Sequence, residues 1–106
     1  MSGSRTIIDD DDRLDNIHPG DILREDFLVG SEIPIAEVVQ GSGLGEQRLY
    51  AILQAEENID ADADLRLTRY FGMSEGFFLS LQNDFDLEEV RRNSGQELDR
   101  IVRRAA

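Results

Sequence analysis

The sequence predicts an all-α fold of five or six helices. Three features lead there. Apolar residues between positions 19 and 90 recur at helical spacing, glycine and proline divide them into segments of helix length, and no segment alternates apolar and polar residues as a half-buried strand does.

The helices follow in order. Pro19 suits the first helical position, and Ile22, Leu23, Phe27 and Leu28 form one stripe before Gly30-Ser31 ends the segment. Ile33-Pro34 opens a second helix, with Ile35, Val38 and Val39 turned inward, and Gly41-Ser42-Gly43 breaks it. Leu44 reads as a core plug. Gly45 opens a third helix carrying Leu49, Ile52 and Leu53 at 3-4 spacing, and Ala55 to Asn58 is a loop. Asp60 is the expected N-cap of a fourth helix, with Leu65, Leu67 and Phe71 on its inner face and Gly72 as its stop. Ser74 is expected to cap a fifth helix, with Glu75 in its first turn and Phe77, Phe78, Leu81 and Phe85 as its apolar load. Leu87 to Ala106 reads as a sixth, charged amphipathic helix with a weak point near Asn93-Ser94-Gly95. The organisation is therefore an acidic flexible tail over 1–16, a helical domain over 17–86 and a C-terminal helix over 87–106.

Composition narrows the function. The 106 residues hold eleven cations, all arginine, against twenty-three acids, for a net charge of −12. Residues 1–16 carry two arginines against five acids, residues 17–86 four against fourteen, and residues 87–106 five against four. The folded middle is thus the most acidic part, which disfavours phosphate and favours cations or basic proteins. With no cysteine, disulfides, zinc fingers and thiol catalysis are excluded. No apolar run approaches the roughly 18 residues of a membrane span, and residues 1–12 lack the apolar core of a secretory signal, so a cytoplasmic location is expected.

Catalytic and metal chemistry find no support. Asp60-x-Asp62-x-Asp64 begins like a calcium loop, but its sixth and twelfth positions are Leu65 and Phe71 instead of Gly and Glu. His18 is the lone histidine and reads as a local hydrogen-bonding residue. No Ser–His–Asp set or phosphate-binding glycine loop is present, so neither enzyme activity nor a cofactor is expected. Arg91, Arg92, Arg100, Arg103 and Arg104 form a basic patch, read first as a solvated helix face, then as a cross-subunit partner of the acidic body or a nucleic-acid contact.

A short helix, a glycine-containing turn and a second short helix form the helix-turn-helix pattern, a weak signal by spacing alone. The wording of the chain strengthens it. His18-Pro19-Gly20-Asp21-Ile22-Leu23-Arg24-Glu25 with Phe27-Leu28, Ile59-Asp60-Ala61-Asp62 with Leu65-Arg66-Leu67, and Tyr70 to Ser74 with Phe77 to Gln82 and Asp84 to Leu87 occur in one order. Together they resemble the HigA/VapI antitoxins, a branch of the XRE (λ-repressor-like) helix-turn-helix family. The resemblance needs no gap and covers about two thirds of the chain.

The resemblance implies a λ-repressor-like domain and a type II antitoxin. It would bind and neutralise a small basic RelE/HigB-like mRNA-cleaving toxin, dimerise, and repress its own operon. Operator-facing residues would be Glu46, Gln47, Arg48, Tyr50 and Gln54. For the toxin, the acids Asp9, Asp10, Asp11, Asp12, Glu25 and Asp26 are the candidates, with Glu32 and Glu37 near them.

The departures from the family concentrate in the DNA-reading part. Ile35 stands where a backbone-contacting Gln is usual, Val39 where Ala is usual, and Ser42 where a buried Leu is usual. Gly45-Glu46 replaces Ser-Arg, and Gln54-Ala55-Glu56-Glu57 replaces a loop ending in two cations. Two cations turned to anions in each subunit of a dimer, at ~1 kcal/mol each, consume much of the roughly 4–10 kcal/mol that separates specific from non-specific DNA binding. Weakened operator binding is therefore expected. A stand-alone helix-turn-helix regulator and a protein-interaction module that has lost DNA binding both stay open.

Overall fold

The computed structural model describes residues 14–105, and the described residues form five helices without a strand. Helix α1 (Pro19–Ile22) runs directly into a π-helical segment, Leu23–Val29. Then come α2 (Ile35–Ser42), α3 (Glu46–Leu53), α4 (Ala61–Phe71) and α5 (Phe77–Asp99). The tail expected over 1–16 lies outside the described residues up to position 13.

The wide turn of the π segment follows from its apolar spacing. Leu23 and Leu28, five residues apart, are both buried, and Gly30 N–H donates five residues back to the Glu25 carbonyl at 3.0 Å. An α-helical turn would set these leucines on different faces. His18 caps the start: its Nδ1 accepts from Gly20 N–H at 2.9 Å, which leaves Nε2 to face Asn58 Oδ1 at 3.4 Å. The imidazole is buried edge-on against Phe85, so the lone histidine is a structural hydrogen-bonding residue, as expected.

The core joins Leu23 and Leu28 with Val38, Leu44, Leu49, Ile52, Leu53, Ile59, Ala63, Leu67 and Phe78. Phe27 meets the rings of Phe71, Phe77 and Phe78 with centroids 5.1, 6.1 and 5.3 Å away, an edge-on cluster that seals the core where the first helix meets α4 and α5. Two close approaches fix the helix packing. A Cβ on Gly20 would stand 1.8 Å from the Ile52 carbonyl oxygen, and one on Gly41 would stand 2.2 Å from the Tyr70 ring. Only glycine admits α3 and α4 at these points.

The glycine-rich turn of the helix-turn-helix is held by hydrogen bonds around Ser42. Buried Ser42 donates its hydroxyl to the Val38 carbonyl at 2.6 Å and accepts from Leu44 N–H at 3.2 Å. Arg66 covers the Ser42 carbonyl at 3.3 Å. The polar replacement for a core leucine is thus satisfied, as a buried hydroxyl must be.

Three expectations are corrected. Leu65 is 39% exposed; the inner face of α4 is Ala63, Asp64, Leu67 and Thr68, because residues two apart on a helix point to opposite sides. Ser74 does not cap α5, whose N-cap is Gly76 at φ 93°, and Glu75 turns away to pair with Arg69 at 2.9 Å. The separate sixth helix is the C-terminal half of α5: the helix continues through Leu87, bends at Ser94 (φ −131°) and stops at Asp99. The weak point was foreseen near the right residue, but the break expected before Leu87 is absent because Phe85 and Leu87 sit on one continuous hydrogen-bonded helix.

Candidate functional site: the helix-turn-helix face and the acidic first helix

Helices α2 and α3, with the turn at Gly43 (φ 77°), make the helix-turn-helix. Its second helix presents Glu46, Gln47 and Tyr50 to solvent, with Gln54 exposed at its C-cap. Arg48 behaves differently. Its guanidinium reaches Glu57 at 3.2 Å and Asp62 at 3.0 Å, and pairs with Asp60 as well. One cation thus faces three carboxylates from the following loop and α4. Desolvation works against its charge, yet the bonds to Asp60, Asp62 and Glu57 leave its pKa raised. Arg48 is engaged within the chain, and no other cation stands on α3.

The acids Asp60, Asp62 and Asp64 hold no metal-ligand cluster among the described residues. Each has its own task. Asp60 caps α4, accepting from Ala63 N–H at 2.9 Å. That bond first, and Arg48 second, hold its carboxyl below the usual range. Asp62 bridges Arg66 and Arg48, which lower its carboxyl in that order. Asp64 is buried and accepts from the N–H groups of Gly76, Phe78 and Leu79 at 2.7, 2.8 and 3.0 Å. It is the cap of α5 that Ser74 was expected to be. The fold also relies on Gln82, unforeseen in the sequence: buried, it accepts from Ile59 N–H at 2.8 Å and donates to Asp86 at 3.0 Å. A helix-interior Gln on an apolar face was the available signal.

Of the toxin-facing candidates, Asp9 to Asp12 lie outside the described residues. Glu25 and Asp26 are exposed on the π segment, and Glu25 pairs with Arg24 at 3.0 Å. Arg24 also donates to the Leu53 carbonyl at 2.7 Å, closing the C-terminus of α3. Between the first helix, α2 and α3 opens a groove of about 580 Å³, with Val29, Ile33, Ile35, Tyr50 and Leu53 along it. Among the described residues, no helix is long and apolar enough to cross a membrane.

Five helices with a turn-linked α2–α3 pair define a helix-turn-helix protein of the λ-repressor type. No family model matches the chain. The chain is 35% identical over 86 residues to virulence-associated protein I of Dichelobacter nodosus, covering 81% of this chain and 79% of that one. Its backbone matches the Pseudomonas aeruginosa antitoxin HigA solved with the higBA promoter (TM-score 0.77, 28% identity, 87% of this chain and all of that one). A HigA-family addiction-module antidote protein from Coxiella burnetii matches over the same shares at TM-score 0.77 and 29% identity. The chain belongs to the HigA/VapI-type antitoxins of the XRE helix-turn-helix family. Its relatives are antitoxins and helix-turn-helix regulators, and the chain is not an enzyme.

Proposed function

We propose that this chain is the antitoxin of a type II toxin–antitoxin system, acting in the cytoplasm. It binds and neutralises a small basic RelE/HigB-like mRNA-cleaving toxin. The observation that carries the reading is the likeness to HigA antitoxins over 87% of the chain, joined to a sequence with twelve more acids than cations. A basic ribonuclease is steered to such a surface. Its candidate contacts are Glu25, Asp26 and the Asp9–Asp12 run. Homodimerisation through α5 fits the exposed Leu87 and Val90, three residues apart on one side of the helix, with Leu98 exposed beyond the bend at Ser94.

Affinity capture from the source cells after nuclease treatment tests this. The expected result is a stoichiometric basic protein whose mRNA cleavage stops when the purified chain is added. A basic partner without ribonuclease activity, or capture of nothing, overturns the reading.

Operator binding and autorepression follow from the family, with Gln47, Tyr50 and Gln54 as the free polar contacts beside Glu46. One observation favours a second reading, a protein-binding module with little DNA affinity: Arg48 is held by three carboxylates. An operator fragment shifted at sub-micromolar protein and moderate salt supports the repressor. No shift at low salt supports the module.

A further inference from the structure

The groove between the first helix, α2 and α3 is walled by both helices of the helix-turn-helix. Ile35 lines it from α2, and Tyr50 and Gln54 line it from α3 and its C-cap. Yet the groove is apolar, with Val29 61% and Tyr50 42% exposed along it. Arg24 is the one cation on it, and Asp21, Glu25 and the Leu53 carbonyl already occupy its guanidinium. Such a surface has no charge to offer a phosphate.

Glu32 stands on its rim with an exposed carboxylate that pairs with no described residue. Its backbone is left-handed, at φ 56°, where an L-residue is strained and glycine is not. The neighbouring rim belongs to the π segment, a distortion that often accompanies function. A strained acid beside an apolar channel defines the ligand's chemistry: an apolar side chain for the channel and a cation for its edge.

We propose that this groove docks a cationic amphipathic helix of a protein partner. An apolar anchor lies between Val29, Ile35 and Tyr50, and an Arg or Lys of the same helix reaches Glu32. The identity of the partner as the basic toxin rests on the antitoxin reading; the groove itself does not.

The test titrates the full chain with a synthetic Leu/Arg amphipathic helical peptide, with a Leu/Glu peptide of equal length as control, followed by backbone amide spectra. Expected is saturable binding of the Leu/Arg peptide alone that shifts the amides of Val29, Glu32, Ile35 and Tyr50. Glu32→Gly and Ile35→Glu each weaken it about tenfold, the scale of a lost anchor contact. Glu32→Gly relieves the left-handed strain and raises the melting temperature, so its weakened binding is not a folding defect. The proposal is overturned by equal binding of both peptides, by shifts confined to other acids, or by affinity within twofold in Glu32→Gly. It is also overturned if groove substitutions turn a dimer into a monomer, which assigns the groove to a second copy, or if duplex DNA shifts the same amides at physiological salt. Loss of peptide binding in Glu32→Gly with toxin neutralisation unchanged supports the groove, removes the toxin as its occupant and leaves the antitoxin reading standing. Peptide binding in the groove without any toxin supports the groove and removes that reading.

Discussion

Arg48, on the second helix of the helix-turn-helix, lies 3.0 Å from Asp62 of α4. The pair draws the only cation of α3 back toward the body of the protein, where Asp60 and Glu57 also meet it. To touch a phosphate, Arg48 must leave three anions for one. Removing two of them, with Asp60 kept as the N-cap of α4, should loosen its hold. The variant Glu57→Gln with Asp62→Asn is expected to bind duplex DNA about tenfold more tightly at low salt, with a salt dependence steeper by about one phosphate per subunit. Electrophoretic shifts across a salt series measure both. Unchanged affinity would mean that Arg48 is not what limits DNA binding.

Asp64 holds the start of α5 with three backbone hydrogen bonds, and it is buried. Asp64→Ala leaves three N–H groups without a partner inside the fold. The expected loss is about 3 kcal/mol or more, from a missing cap together with unsatisfied donors. Asp64→Asn keeps one acceptor oxygen and should lose less. Urea unfolding of both variants checks the order. The comparison also marks where sequence reading stops. Asp60 was legible as an N-cap because it acts on Ala63, three residues ahead. Asp64 sits in the same acidic run, but its partners are twelve to fifteen residues away on another helix. Local capping rules therefore chose Ser74, the nearest suitable side chain.

Gly20 belongs to the His-Pro-Gly opening, and its role is steric. With a Cβ 1.8 Å from the Ile52 carbonyl oxygen, Gly20→Ala must push the first helix off α3. Backbone atoms cannot yield as a flexible side chain does. Destabilisation of about 3 kcal/mol is expected, at the upper end for overpacking. Thermal melting measures it, and a change below half a kcal/mol, the scale of an ordinary surface substitution, would refute the close approach. The motif was legible in the sequence as a resemblance; the reason for its glycine needed α3, which lies some thirty residues further along the chain. The helix stripes were legible from local periodicity alone, whereas the engagement of Arg48 depended on how the loop after α3 folds back.

Three acids link stability to pH. Asp60 is lowered by the Ala63 N–H and then by Arg48, Asp62 by Arg66 and then Arg48, and Glu88 by Arg92 and then Arg91. Each folded carboxyl therefore titrates below its unfolded value, 3.8 for Asp and 4.5 for Glu. Such groups stabilise the fold above the unfolded value, and that contribution disappears as pH falls through the folded one. The melting temperature should be level above about pH 5 and fall steadily below it. Arg48→Met removes a partner from Asp60 and Asp62 but leaves Ala63 N–H and Arg66 in place. Its acid-induced fall should be shallower than that of the unmodified chain without vanishing. Because these carboxylates are exposed, high salt should shrink the difference further.

The α5 stripe carries the last prediction. Leu87 is 54% and Val90 49% exposed, on a helix whose other side is anchored through Phe78 and Gln82. Apolar area left on one side of a long helix is stabilised by a partner surface. If two copies meet there, Leu87→Glu and Val90→Glu place like charges opposite each other across the symmetry axis, since a twofold interface repeats each residue. Neither residue belongs to the buried core, so the fold should tolerate the change. Sedimentation at increasing concentration should then find a monomer for the double variant and a dimer for the unmodified chain, with helical circular dichroism equal in both. A dimer that persists in the variant would place the subunit contact elsewhere. Loss of helical signal together with the dimer would show instead that this side of α5 is needed to fold the single chain.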